Sequence, residues 1–118
     1  MEHPVILVAE DEFIVGADLC DTVEEAGYVV EGPHPDISSA MLACQKKRPD
    51  LAILDVRLQD GAVYPLAEQL MREDVPVIFH SGNVPDDDIA SRFPQSKALS
   101  KPCPPNRMLD TVAAALAR

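Results

Sequence analysis

The sequence predicts one α/β domain: a parallel sheet with helices on both faces. Three observations predict it. Short apolar runs alternate with helix-like stretches along all 118 residues. Three of those runs are continuous and rich in Val, Ile and Leu instead of alternating with polar residues, as strands buried on both faces are. The length suits one domain, residues 1–118, and the 47% apolar content can fill a core.

The expected strands are Val5–Ala9, Tyr28–Val30, Leu51–Leu54, Val75–Phe79 and Ala98–Leu99, the second and fifth being the weaker patterns. The first helix is expected over about 12–26, with Phe13, Ala17, Cys20 and Val23 at intervals of three to four and Gly27 as its stop. The second, about 38–47, has Asp36 or Ser38 as N-cap and ends before Pro49. The third spans about 63–73, and a short fourth about 86–93. The last, about 105–117, opens after Pro104 and places Met108, Leu109, Val112, Ala113 and Leu116 on one broad face. Alternation of this length implies right-handed crossovers between parallel strands.

Composition narrows the function. The net charge is -10, from 20 acidic and 10 basic residues, which repels nucleic acid and anionic membrane as direct partners. The three cysteines, Cys20, Cys44 and Cys103, form no C-x-x-C pair and indicate neither a disulfide framework nor a zinc knuckle. Residues Met1–Val8 lack the basic region of a signal peptide, and no apolar run approaches the ~18 residues that span a bilayer. The expected location is the cytoplasm.

In open parallel sheets, ligands sit beyond the carboxyl ends of the strands. Glu10, Asp11 and Glu12 follow the first strand and Asp55 the third; His80, Ser81 and Gly82 follow the fourth, and Ser100, Lys101 and Pro102 the fifth. Each has an ordinary explanation. Acids suit a helix N-terminus, Asp suits a turn, Ser caps turns, and Lys is commonly solvated. Four different strand ends carrying these groups in order is much harder to explain that way. Carboxylates brought together repel one another, and a hard divalent cation resolves the repulsion. Mg²⁺, or Mn²⁺ in its place, is therefore the expected cofactor, ligated by Asp11 and Asp55, with Glu10 through water and the backbone carbonyl of Arg57 as a further oxygen. Asp55 is the expected phosphoryl acceptor. Lys101 would neutralise the phosphoryl oxygens, and Ser81 would donate a hydrogen bond to them.

The motifs ILVAEDE, LAILDV, VIFHSG and LSKP, in that order, resemble the receiver domain of two-component response regulators over the entire chain. The resemblance implies a five-stranded flavodoxin-like sheet in the order 2-1-3-4-5. It implies that Asp55 is phosphorylated by a histidine kinase or a histidine phosphotransfer protein, and that the modification shifts a conformational equilibrium that changes partner binding. Glu10 and Asp11 match the family's metal-binding pair, Ser81 its switch hydroxyl and Lys101 its phosphate-binding lysine. The Lys101–Pro102 bond is expected to be cis.

Three positions depart from the family pattern. Ala98 stands where the family usually has an aromatic that swings inward as the Ser/Thr moves, so that coupling cannot run through a ring here. The loop Val56–Gly61 is short and lacks the usual proline, and a YP element, Tyr64–Pro65, follows it, as in some single-domain receivers. Glu10 replaces Asp. With Met1 just before the first strand and no trailing linker, a stand-alone receiver is expected. It would bind a downstream protein through helix 4, strand 5 and helix 5, including Asp86–Asp88, Arg92 and Leu99, with a homodimer as one arrangement, or else drain phosphoryl groups from a kinase as a phosphate sink. Receivers are not turnover enzymes. A small aspartyl-phosphate phosphatase would need a second Asp two residues after Asp55, where Arg57 stands. A nucleotide- or flavin-binding fold lacks its G-x-G-x-x-G loop. A degenerate receiver acting purely as a protein-interaction module would not retain Asp11, Asp55 and Lys101.

Overall fold

The computed structural model describes residues 3–82 and 87–117. Asp86, expected at the start of the fourth helix, lies outside them. The elements are β1 (Val5–Ala9), α1 (Phe13–Glu25), β2 (Val29–His34), α2 (Ile37–Lys46), β3 (Leu51–Leu54), β4 (Arg57–Leu58), β5 (Gly61–Ala62), α3 (Tyr64–Arg72), β6 (Val77–Ser81), α4 (Asp87–Arg92), β7 (Lys97–Ser100) and α5 (Pro105–Leu116). The main sheet is five-stranded and parallel, in the order β2-β1-β3-β6-β7. With the β4–β5 hairpin set aside, this is the expected order 2-1-3-4-5.

Strand alternation divides the core in two. Leu7, Ala9, Ala52, Leu54, Val77 and Phe79 face Ala40 and Cys44 of α2, Leu66 and Leu70 of α3, and Ile89 of α4. Ile6, Val8, Leu51, Ile53 and Ile78 face Leu19 and Val23 of α1 and Met108 and Val112 of α5. Both faces of the central strands are therefore dry, which is why their sequences are continuous apolar runs.

The helix ends follow local chemistry. Gly27 sits at φ +99 beyond α1 and donates its N–H to the Glu24 carbonyl. Asp36, not Ser38, caps α2, its carboxylate accepting from the Ser39 N–H at 2.7 Å.

Several boundaries differ from expectation. β2 runs on to His34 through Gly32 and Pro33, because an edge strand tolerates a residue that cannot donate to the ladder. Gly32 is at φ +139, and a Cβ there would lie 2.4 Å from the Val8 carbonyl oxygen. β6 starts after Pro76 and includes His80 and Ser81, so Ser81 ends the strand instead of following it. The core stripe of α1 is Gly16, Leu19, Cys20 and Val23. Phe13, expected on that stripe, is 71% exposed, because the first turn of α1 rises past the end of the sheet. On α5 only Met108 and Val112 are buried, and Ala113 faces outward.

Candidate functional site

The carboxyl ends of β1, β3, β6 and β7 meet at one edge of the sheet. Parallel register sets this: Ala9 pairs with Leu54, and Ser81 with Ser100. The next residues in each chain segment, Glu10, Asp55 and Lys101, are thereby held at one level. Two backbone bonds tie the segments further, from Asp55 N–H to the Ala9 carbonyl and from Lys101 N–H to the Ser81 carbonyl, both 2.9 Å.

Glu10, Asp11 and Asp55 each offer a carboxylate oxygen within 4.8 Å of the others. Among the described residues no other group of three acids, histidines or cysteines comes together this way. The Lys101 ammonium lies 2.7 Å from Glu10 Oε1 and 2.9 Å from Asp55 Oδ2, with Glu12 Oε1 at 3.7 Å. The Glu10 contact is a close ion pair without good hydrogen-bond alignment, whereas the Asp55 contact is a formed hydrogen bond.

Burial sets the electrostatics. Glu10 is only 2% exposed, and its carboxyl is pushed up to about 7. Burial is the main cause; the Lys101 contact opposes it, and the neighbouring Asp55 carboxylate adds to it. Burial alone would lower Lys101, but Glu10 and Asp55 more than reverse that and hold the ammonium above its ordinary value. A hard cation fits this donor set: three carboxylates, one of them costly to ionise unaided, all offering oxygen.

Asp55, Arg57, Ala62, Tyr64, Ser81 and Gly82 line a cleft of about 400 Å³. The Arg57 N–H approaches Asp55 Oδ1 at 3.4 Å, so the Arg57 peptide lies beside the carboxylate while its side chain is exposed. Ser81 is buried at the end of β6, on the wall of the same cleft. The Lys101–Pro102 peptide is cis.

The sequence matches a known family. The response regulator receiver domain model covers residues 6–113. The chain belongs to that family. It is 31% identical over 115 residues to the phyllosphere-induced regulator PhyR of Methylorubrum extorquens, covering 94% of this chain and 43% of that protein. It is 36% identical over 58 residues to the transcriptional regulatory protein PdtaR of Mycobacterium tuberculosis, covering 48% of this chain and 28% of that one. The chain thus spans less than half the length of either relative. Among solved structures, the receiver domain of PhyR from Erythrobacter litoralis superposes with a TM-score of 0.87 at 28% identity, covering 99% of this chain and 92% of that one. The non-phosphorylated receiver domain of HemR from Leptospira biflexa gives 0.86 at 27% identity, covering 98% and 95%. This receiver is a module of two-component signalling, and no described helix is long and apolar enough to cross a membrane.

The fold brings Glu10, Asp11, Asp55 and Lys101 together and sets the Arg57 peptide and Ser81 on the same cleft as Asp55, while His80 of the wider constellation lies elsewhere. His80 points to the opposite layer, alongside Lys101, Pro102, Cys103 and Met108 in a cavity of about 770 Å³ between α1 and α5. Its imidazole is buried, with neither nitrogen hydrogen-bonded among the described residues, and burial and then Lys101 hold it below the ordinary histidine value.

Two contributors escaped the sequence reading. Asp60, in the β4–β5 turn, accepts from the Ile37 N–H at 2.7 Å and from the Ser38 N–H and hydroxyl at 3.2 Å. It pins the loop after Asp55 to the start of α2. Tyr64, the first residue of α3, walls the cleft. The Asp60–Gly61 pair was a readable hairpin signal; Tyr64 carried none beyond the YP element.

Proposed function

We infer that Asp55 accepts a phosphoryl group from the phosphohistidine of a kinase or phosphotransfer protein, with Mg²⁺ or Mn²⁺ held by Glu10, Asp11, Asp55 and the Arg57 carbonyl. What carries this reading is the Lys101 ammonium 2.9 Å from Asp55, beside three converging carboxylates. A carboxylate oxygen of Asp55 forms a bond to phosphorus as the N–P bond breaks, and the electron pair returns to the imidazole nitrogen. The divalent ion supplies charge neutralisation at the phosphoryl oxygens. Lys101 holds a second positive charge at Asp55 and moves from carboxylate to phosphoryl oxygen without leaving the pocket. Ser81 donates to the phosphoryl group once it is in the cleft, so the contact exists only in the modified state and biases the conformational equilibrium.

The exposed Phe13 and Ile14, 71% and 79% accessible, stand on the first turn of α1 just past Glu10–Glu12 and offer the phosphodonor an apolar landing. The output face comprises α4, β7 and α5, where Arg92 is exposed. The protein works in the cytoplasm and turns over no substrate of its own.

Acetyl phosphate with Mg²⁺ tests the reading. Wild type becomes labelled and Asp55→Asn does not. Labelling that persists in Asp55→Asn removes Asp55 as the acceptor.

A further inference from the structure

Ala98 leaves the receiver without a ring on β7, yet an aromatic path still leads out of the phosphorylation cleft. Ala98 pairs with Phe79 across β6 and β7 and packs on the same apolar cluster as Phe93 and Ile89. The ring against Phe79 comes from Phe93, just beyond α4, at a centroid distance of 5.3 Å. Phe93 in turn meets Tyr64 at 5.8 Å. The Arg92 guanidinium lies over the Tyr64 ring at 4.4 Å and near the Phe93 ring at 5.9 Å, with a Glu68 carboxylate oxygen of α3 at 3.8 Å. Tyr64 is also part of the wall of the cleft that contains Asp55 and Ser81.

Resting on the phosphoacceptor reading, we propose that Tyr64 is the aromatic element coupling Asp55 phosphorylation to α4, through the Arg92 guanidinium and the Phe93 ring. The physical reasons are three. A phosphoryl group on Asp55 enters a cleft of about 400 Å³ and must be accommodated by its walls, of which Tyr64 is the one bulky, partly buried ring. The group brings two negative charges, which draw on a guanidinium already held against that ring. Displacing Tyr64 changes its contacts with both Arg92 and Phe93, and these residues end and follow α4. An inward-swinging ring on β7 has its counterpart here in a ring at the start of α3.

The test uses the full chain with Mg²⁺ and beryllofluoride, read by amide chemical shifts at Asp11 and Asp55 and at Arg92 and Phe93. Wild type shifts at both places. In Tyr64→Ala, or in Tyr64→Leu if the smaller side chain leaves the protein unfolded, the shifts at Asp11 and Asp55 persist and those at Arg92 and Phe93 are lost. Arg92→Met keeps the aliphatic stem and reduces the α4 response about two- to fivefold, the weight of one exposed cation–π contact. Since the chain has two tyrosines and no tryptophan, Tyr28→Phe leaves Tyr64 as the sole tyrosine, and tyrosine emission changes on beryllofluoride addition. Undiminished α4 shifts in the Tyr64 variants, or unchanged Tyr64 emission, overturn the proposal. Wild-type protein that shifts at Asp11 and Asp55 but not at α4 overturns the coupling alone; no shift at Asp11 and Asp55 overturns the phosphoacceptor reading and the coupling with it.

Discussion

Lys101 Nζ sits 2.9 Å from Asp55 Oδ2 while also contacting Glu10 Oε1 at 2.7 Å, so a single ammonium bridges the proposed acceptor carboxylate and the buried acid beside it. Without a divalent ion this bridge holds the pocket together. Lys101→Ala therefore removes a partner from two carboxylates but no metal ligand. Mg²⁺ affinity in Lys101→Ala, measured by titration calorimetry, is expected to equal or exceed that of wild type, while the beryllofluoride response is blunted. A loss of Mg²⁺ binding as large as that of Asp11→Asn contradicts this division of roles.

Glu10 makes the pocket pH-dependent. Its folded value is raised to about 7 from the ordinary 4.5, so the folded state holds the Glu10 proton more tightly than the unfolded chain does. Its contribution to stability is fully present below pH 4.5 and is lost as pH rises through about 7. In metal-free buffer, Glu10→Gln should melt close to wild type at low pH and progressively above it as pH climbs through that window. Mg²⁺ should narrow the gap by stabilising ionised Glu10. A constant offset at all pH values would show that Glu10 is not the titrating group.

Asp60 acts through hydrogen bonds to Ile37 and Ser38, which favour its ionised form and hold its carboxyl below the ordinary value. The stability it adds is present above the unfolded carboxylate range and lost as pH falls through the lowered folded value. Asp60→Ala should lower the melting temperature at neutral pH, and the difference should shrink in acid. Asp60→Asn, which keeps one acceptor oxygen, should lie between the two.

Gly32 and Gly27 both have positive φ, but only Gly32 is crowded: a Cβ would lie 2.4 Å from the Val8 carbonyl oxygen there, against nothing within 4 Å at Gly27. Gly27→Ala should cost on the order of 1 kcal/mol, the backbone penalty alone. Gly32→Ala adds a backbone clash and should cost clearly more, on the order of 3 kcal/mol, in chemical denaturation. Equal costs would mean that β2 moves freely away from β1.

The fold was legible because burial on both faces writes itself into β1, β3 and β6 as unbroken apolar runs. The site was legible because parallel register puts each residue after a strand at one edge, so the sequence alone makes Glu10, Asp11, Asp55 and Lys101 neighbours. Less legible was whatever depended on an edge or a loop. β2 hid its length behind Gly32 and Pro33, which only an edge strand admits. Ser81 was placed one step too late, because His80, a polar residue, looked like the end of a buried strand; its imidazole is in fact buried facing α1 and α5, with no hydrogen-bond partner among the described residues. Phe13 fitted the helical spacing but not the geometry, because periodicity says which residues share a face and not how far the sheet extends beneath it. The Tyr64–Phe93–Phe79 stack joins three separate elements, and no local pattern in one chain encodes that.

The Asp60 staple has a mechanical consequence. It clamps the loop on one flank of Asp55 to α2, a ten-residue helix seated on the core, while the cleft beside Asp55 is also lined by Asp88 of α4, a helix of six residues. A load applied between a stiff wall and a compliant one moves the compliant one. Asp60 would thereby serve as a fulcrum for a phosphoryl group on Asp55, and its removal would let that group displace the loop instead of α4.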